Sequence, residues 1–130
     1  MIFLIDHNIE GQATWLWGTI VAEGWLDWIE IQFITFEQVK LSIESSDRIV
    51  WRFAQENKMI VLTANRSMKG KDSLEEVIRN ENKLDSLPVI TLGSIDRMEE
   101  RTYRERCAAR LIKIAIDLEN SMGVGRIFIP

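Results

Sequence analysis

Seven polar residues have types and positions that could do chemistry together: Asp6, Asp47, Asn65 and Asp72, with Arg66, Lys69 and Lys71 beside them. Asp6 ends the apolar run Met1-Ile-Phe-Leu-Ile5, and Asn65 and Arg66 end the run Met59-Ile-Val-Leu-Thr-Ala. Uninterrupted apolar runs of this length suit strands covered on both faces, and in an open α/β sheet ligands gather beyond the carboxyl ends of such strands. Carboxylates delivered to one sheet edge from separate segments repel each other, and a hard cation such as Mg²⁺ or Mn²⁺ relieves the repulsion. Such a cation keeps several waters, which can attack a phosphodiester while the metal neutralises charge on the phosphate. Asp6, Asp47 and Asp72 are therefore the candidate metal ligands, with Asn65 as a supporting ligand or water positioner. Lys69 and Lys71 flank Gly70 beside this edge and, with Arg66, are the candidate phosphate contacts.

Ordinary structural roles compete for several of these residues. Asp6 interrupts a strand where local structure does not call for an acid, which favours a site role. Asp47 follows Ser46 at a helix start, where an acid is favoured by the helix dipole alone. The spacing Asp72-Ser-Leu-Glu75 fits a capping box. Asn8 could orient Asp6 or simply form a turn. His7 neighbours Asp6 in an extended segment and so points the opposite way. Asp96 shares the presumed edge as a fourth acid, or caps the next helix together with Ser94. The loop around Gly70 lacks the full phosphate-loop pattern.

The elements that must position these groups alternate. A first strand ending at Ile5 precedes a helix over 11–23, with Ala13, Leu16, Trp17, Ile20 and Val21 at helical spacing and Gly24 as its stop. Residues 29–36 read as a strand with one wetter face, as at a sheet edge. A short helical turn over 37–43 follows, and Ser45-Ser46-Asp47 opens a helix carrying Ile49, Val50, Trp51, Phe53 and Ala54. After the Met59 strand come a helix with Leu74, Val77 and Ile78, a strand at Pro88-Val-Ile-Thr-Leu92, and a long helix over 99–122. Arg126-Ile-Phe-Ile129 adds a final strand. This alternation predicts one domain over 1–130, a three-layer αβα sandwich around a mainly parallel sheet of four to five strands.

With 130 residues and 46% hydrophobic content, the chain is long enough for one core and too short for two. Its net charge of −4 exerts no global pull on nucleic acid, so any such binding needs a local basic patch. The single Cys107 excludes an intrachain disulfide and suits a reducing, cytoplasmic setting. The opening apolar run is too short for a signal peptide or membrane span, and no membrane association is expected. Arg97, Arg101, Arg104, Arg106, Arg110 and Lys113 supply six of the sixteen Lys and Arg residues. Of these, Arg106, Arg110 and Lys113 share a helix face, either as a phosphate grip or as a solvated face with ion pairs to Glu99, Glu100 and Glu105. Trp15, Trp25 and Trp28 either pack over the ends of the core or form a patch for a homodimer or another partner.

Three stretches together carry a family resemblance: Phe3-Leu-Ile-Asp6-His-Asn8, Asp47-Arg-Ile-Val-Trp-Arg-Phe-Ala54 and Met59-Ile-Val-Leu-Thr-Ala-Asn65-Arg66. Residues 1 to 95 resemble the small bacterial PIN-like proteins, relatives of the toxin nucleases of toxin–antitoxin pairs. That resemblance implies a metal-dependent ribonuclease with RNA as substrate, Mg²⁺ or Mn²⁺ as cofactor and an antitoxin as protein partner. Asp6 and Asp47 match the family's acidic positions. Asn65 stands where many relatives carry Asp, and Ser67 stands at a second position that is often acidic. A PIN-like protein-binding module with a decayed site is the alternative.

Overall fold

The computed structural model describes residues 1–66, 70 and 72–130. Five strands, β1 (Ile2–Ile5), β2 (Gln32–Thr35), β3 (Met59–Thr63), β4 (Val89–Leu92) and β5 (Arg126–Ile129), form one sheet in the order β2-β1-β3-β4-β5. Every neighbouring pair is parallel. β1 lies between β2 and β3, with Leu4 opposite both Ile34 and Val61. The chain runs outward from β1 to β2 and then returns to β3 on the other side, so connections diverge between the carboxyl ends of β1 and β3. Such a divergence leaves a crevice at that edge of the sheet.

Side-chain alternation along the strands divides the core in two. Phe3, Ile5, Ile60, Leu62, Ile90 and Leu92 face α1 (Glu10–Ala22) and α4 (Arg101–Ile116). Leu4, Met59, Val61 and Val89 face α2 (Asp47–Glu56) and α3 (Leu74–Glu81). The result is the expected three-layer αβα sandwich, with a fully parallel sheet. No helix among the described residues is long and apolar enough to cross a membrane.

Several boundaries differ from the periodicity reading. β2 begins at Gln32 because Trp28 and Ile29 both donate their N–H groups to the Trp25 carbonyl, closing a 3₁₀ turn that consumes the start of the apolar run. It is the sheet edge strand that its wetter face predicts. α4 stops at Ile116, and residues 118–121 continue only as a 3₁₀ turn after Asp117 leaves helical geometry. Its apolar stripe is nonetheless the expected one, with Tyr103, Cys107, Leu111 and Ile114 buried. Burial pushes the Cys107 thiol up to about 11, so this side chain is an inert core residue at neutral pH. The indoles separate: Trp25 packs against the core, while Trp15 and Trp28 are exposed. Along the arginine-rich helix, Arg97 pairs with Glu100 and Arg101 with Glu105, whereas Arg106, Arg110 and Lys113 are exposed.

The helix starts obey capping rules with one correction. Ser46 caps α2, accepting the Ile49 N–H at 3.2 Å. The cap of α3 is Ser73, which accepts the Glu76 N–H at 3.2 Å, and not the Asp72 of the Asp-x-x-Glu pattern. Asp72 turns instead to Arg48 of α2, whose Nε donates to its carboxylate at 2.9 Å. Both residues are competent caps; a guanidinium contributed by another helix decides between them.

The same Arg48 joins α2 to α3 through Glu81, with Nη1 to Oε2 at 2.6 Å. Arg52 holds both Glu81 oxygens, at 2.7 and 3.1 Å. The Arg52 guanidinium keeps the Glu81 carboxyl below its ordinary value of 4.5. A carboxyl that releases its proton more readily in the folded state stabilises the fold above its unfolded value, and this contribution disappears as pH falls through the lower folded value. Glu81→Gln is therefore expected to lower the thermal midpoint by about 3 to 5 °C above pH ~5, the equivalent of about 1 kcal/mol. The difference from wild type should shrink as pH falls further. Thermal unfolding followed by circular dichroism across acid pH checks both the sign and the window.

Candidate functional site

The crevice between β1 and β3 holds a pocket of about 470 Å³ lined by Asp6, Asn8, Asp47, Thr63 and Asn65, with Ile9, Phe36, Val50, Val61 and Leu74 among its apolar walls. Each polar residue arrives by a local rule. Asp6 is held in extended geometry because its N–H donates to the Leu62 carbonyl at 2.9 Å, continuing the β1–β3 ladder by one residue. Its carboxylate also caps the 3₁₀ turn His7–Ile9, accepting the Asn8 N–H at 3.2 Å. Local structure thus does use the acid at this position, contrary to the sequence reading, and the use is compatible with a site role. Asp47 lies in the first turn of α2, one residue past the Ser46 cap, so its own carboxylate is not the cap.

A continuous hydrogen-bond path joins the two acids. The Thr63 hydroxyl donates to Asp6 Oδ2 at 2.6 Å. The same hydroxyl oxygen accepts the Asn65 N–H at 3.0 Å, and the Asn65 side-chain amide donates to Asp47 Oδ2 at 3.0 Å. Thr63 is buried, while Asp6, Asp47 and Asn65 are half-buried. Hydrogen bonds of this kind to a charged acceptor contribute roughly 1.5–3 kcal/mol each, enough to fix the rotamers of both carboxylates. All of these donors are neutral. Among the described residues no Lys, Arg or His lies within 4.0 Å of the Asp6 or Asp47 carboxylate, although such pairs occur elsewhere in the fold. The pocket thus presents two carboxylates oriented by neutral donors, with no cationic partner among the described residues.

No protein-family model, curated protein or solved structure matches the chain. Function is read from the pocket itself.

Asp72 is exposed, tied to Arg48, and absent from the pocket lining. Arg66 is exposed, one residue beyond Asn65. Lys69 and Lys71 fall outside the described residues. His7 pairs with Glu10 at 2.7 Å and lines a different depression, with Glu37 and Lys40; it opens the 3₁₀ turn His7–Ile9 and is not in an extended segment, so the strand alternation expected from the sequence does not apply to it. Asp96 is exposed in a 3₁₀ turn whose cap position is Ile95, without a side-chain cap hydrogen bond, so Asp96 is not the cap; the Arg97 N–H donates to Ser94 Oγ at 3.3 Å.

Among the described residues, no three His, Cys, Asp or Glu side chains gather as a metal-ligand group. The donor set in the pocket is two carboxylates supplemented by neutral oxygen groups. Mg²⁺ is commonly held by one or two carboxylates with waters completing the octahedron, and the residues present fit that mode. They do not fit a closed, all-protein cage or a soft-metal site.

Sequence reasoning missed Arg126. The signal was available: it is the one charged residue opening an otherwise apolar strand, Arg126-Ile-Phe-Ile129. Its side chain is 9% exposed, and Nη1 donates to the Asn65 carbonyl at 2.6 Å and to Thr91 Oγ1 at 2.8 Å.

Proposed function

We propose that this chain is a PIN-like, divalent-metal-dependent ribonuclease whose Asp6 and Asp47 hold Mg²⁺ or Mn²⁺. One observation carries the reading: two carboxylates from distant parts of the sequence line one pocket at the divergence of β1 and β3, oriented by neutral donors and without a cationic partner among the described residues. Paired acids in such a crevice repel until a hard cation occupies it.

The bound cation would supply a polarised water and offset charge on the phosphate. Asp6 and Asp47 provide the negative field that retains it. Thr63 holds Asp6 in place, and Asn65 holds Asp47, in the manner of groups behind a metal ligand that fix its direction. In this reading Asn65 is a neutral orienter where an acid would have added charge. Arg66, with Lys69 and Lys71 following it in sequence, supplies cationic contacts to the phosphates on either side of the scissile bond. The physiological setting we propose is a cytoplasmic toxin whose antitoxin partner covers this pocket.

The Asn65 to Asp47 hydrogen bond also favours a second reading. It occupies one carboxylate oxygen with a neutral donor, as in a site that has lost its metal and serves as a protein-binding module, with the exposed Trp15 and Trp28 available as an interface.

Titrating the protein with Mn²⁺ by calorimetry, alongside cleavage of a labelled single-stranded RNA with and without EDTA, separates the two. Saturable binding in the micromolar to millimolar range with EDTA-sensitive cleavage supports the nuclease. The absence of both heat and cleavage overturns it in favour of the binding module.

A further inference from the structure

We propose that Arg126 is a positioning residue for the Asp6–Asp47 pocket, acting through the backbone of Asn65. The inference rests on the cation reading of that pocket. It starts from an unusual placement: a guanidinium, side chain 9% exposed, at the first residue of an edge strand. β5 register places Arg126 opposite Val89 and Phe128 opposite Thr91, so Arg126 shares the sheet face covered by α2 and α3.

From there the guanidinium joins three segments. Nη1 donates to Thr91 Oγ1 of β4 at 2.8 Å and to the Asn65 carbonyl just past β3 at 2.6 Å. Nη2 lies 3.2 Å from the Glu75 carboxylate in the first turn of α3, an ion pair without hydrogen-bond geometry. Nε has no hydrogen-bond partner among the described residues. One side chain thus grips the chain on both sides of the connection from β3 to α3, at Asn65 before it and at Glu75 after it.

Packing alone does not account for this. Burying a guanidinium with incomplete hydrogen bonding is costly, and an apolar side chain of similar volume would fill the same space as well or better. What the guanidinium provides and a hydrocarbon cannot is a fixed carbonyl at Asn65. The peptide so held carries the side-chain amide that donates to Asp47 Oδ2, and its N–H donates to Thr63 Oγ1, whose hydroxyl donates to Asp6. Releasing the carbonyl removes one of the hydrogen bonds that fix the Asn65 peptide. Both ends of the path that orients the two acids then loosen together.

The test uses the full chain as wild type, Arg126→Met, Arg126→Lys and Glu75→Gln. Each is followed by ¹H–¹⁵N spectra of the Asn65 side-chain amide and by Mn²⁺ calorimetry, with circular dichroism melts as the fold control. In folded Arg126→Met, the Asn65 amide resonances should move to positions typical of a solvated Asn, and Mn²⁺ affinity should fall about tenfold, the scale of losing a group behind a ligand. Arg126→Lys should recover part of both, because an ammonium can still donate to the carbonyl. If Arg126→Met does not fold, Glu75→Gln provides the readout through a smaller shift of the same resonances. Unchanged Asn65 resonances in a folded variant overturn the inference, even where wild type binds Mn²⁺. Shifted resonances in a protein that binds no Mn²⁺ in any form sustain Arg126 as a positioning residue while sinking the cation reading.

Discussion

Asp6→Asn is expected to lower Mn²⁺ affinity at least about 100-fold, equivalent to about 2.7 kcal/mol, and to abolish RNA cleavage, while leaving the fold intact. The substitution is close to isosteric, and the local hydrogen bonds can survive it. The amide oxygen can still accept the Asn8 N–H, as Asp6 Oδ1 does at 3.2 Å. The amide nitrogen can donate to Thr63 Oγ1, since a hydroxyl that donates to Asp6 in wild type can rotate to accept. What disappears is one of two negative charges, and with it half the field that holds a divalent ion. The thermal midpoint without metal should therefore move by no more than about 1 kcal/mol equivalent, whereas the calorimetric signal should vanish. Retention of wild-type Mn²⁺ affinity would remove Asp6 from the ligand set and end the hydrolytic reading. Asp47→Asn should behave similarly, and the double variant should add little, because two ligands of one ion act as a unit.

Asn65→Asp should produce the opposite sign with metal and a penalty without it. The Asn65 amide sits 3.0 Å from Asp47 Oδ2. Two unit charges at that separation repel by about 5 kcal/mol at an effective dielectric constant of about 20. The cost is capped, because the carboxyl pair can keep one proton. Holding a proton at pH 7 on a group that ordinarily releases it near 3.9 costs about 4 kcal/mol. The apoprotein should thus lose about 2 to 4 kcal/mol at neutral pH, a fall of at least about 6 °C in the thermal midpoint. The folded state then binds more protons than the unfolded chain, so the penalty grows as pH rises from the ordinary carboxyl range and fades as pH falls back to it. Mn²⁺ should reverse the deficit. A third carboxylate raises affinity at least about tenfold, and an ion present at 100 times its dissociation constant returns about 2.7 kcal/mol. Melts at neutral pH with and without Mn²⁺ read both effects in one experiment. Destabilisation that Mn²⁺ does not relieve would show that position 65 faces no cation.

These two substitutions separate the roles of residues whose chemistry looks alike in the sequence. Asp6, Asp47 and Asp72 are equivalent as letters, each at a strand end or helix start. Asp6 and Asp47 share a pocket because β1 and β3 are neighbours and α2 begins above them. Asp72 is drawn to Arg48, a contact between α2 and the residue preceding the α3 cap that no local pattern encodes. The orienting hydrogen bonds of the site link residues far apart in the chain, Thr63 to Asp6 and Asn65 to Asp47. Spacing rules reach three or four residues along a helix or two along a strand, so bonds of that span lie beyond them.

By itself the sequence determined the layer architecture, because uninterrupted apolar runs such as Met59–Thr63 can be buried only between helices on both faces, and helices at 3.6-residue periodicity stood between those runs. It also placed Asp6 and Asn65 at the carboxyl edge of the sheet, since an apolar strand must end where a polar side chain reaches water. Strand order, the choice of Ser73 over Asp72 as a cap, and the burial of Arg126 against Asn65 and Glu75 were decided only in the tertiary structure. Each depends on which of several locally equivalent partners comes within about 3 Å, the range over which hydrogen bonds and buried charges discriminate. That distance is set by the packing of whole elements on the sheet.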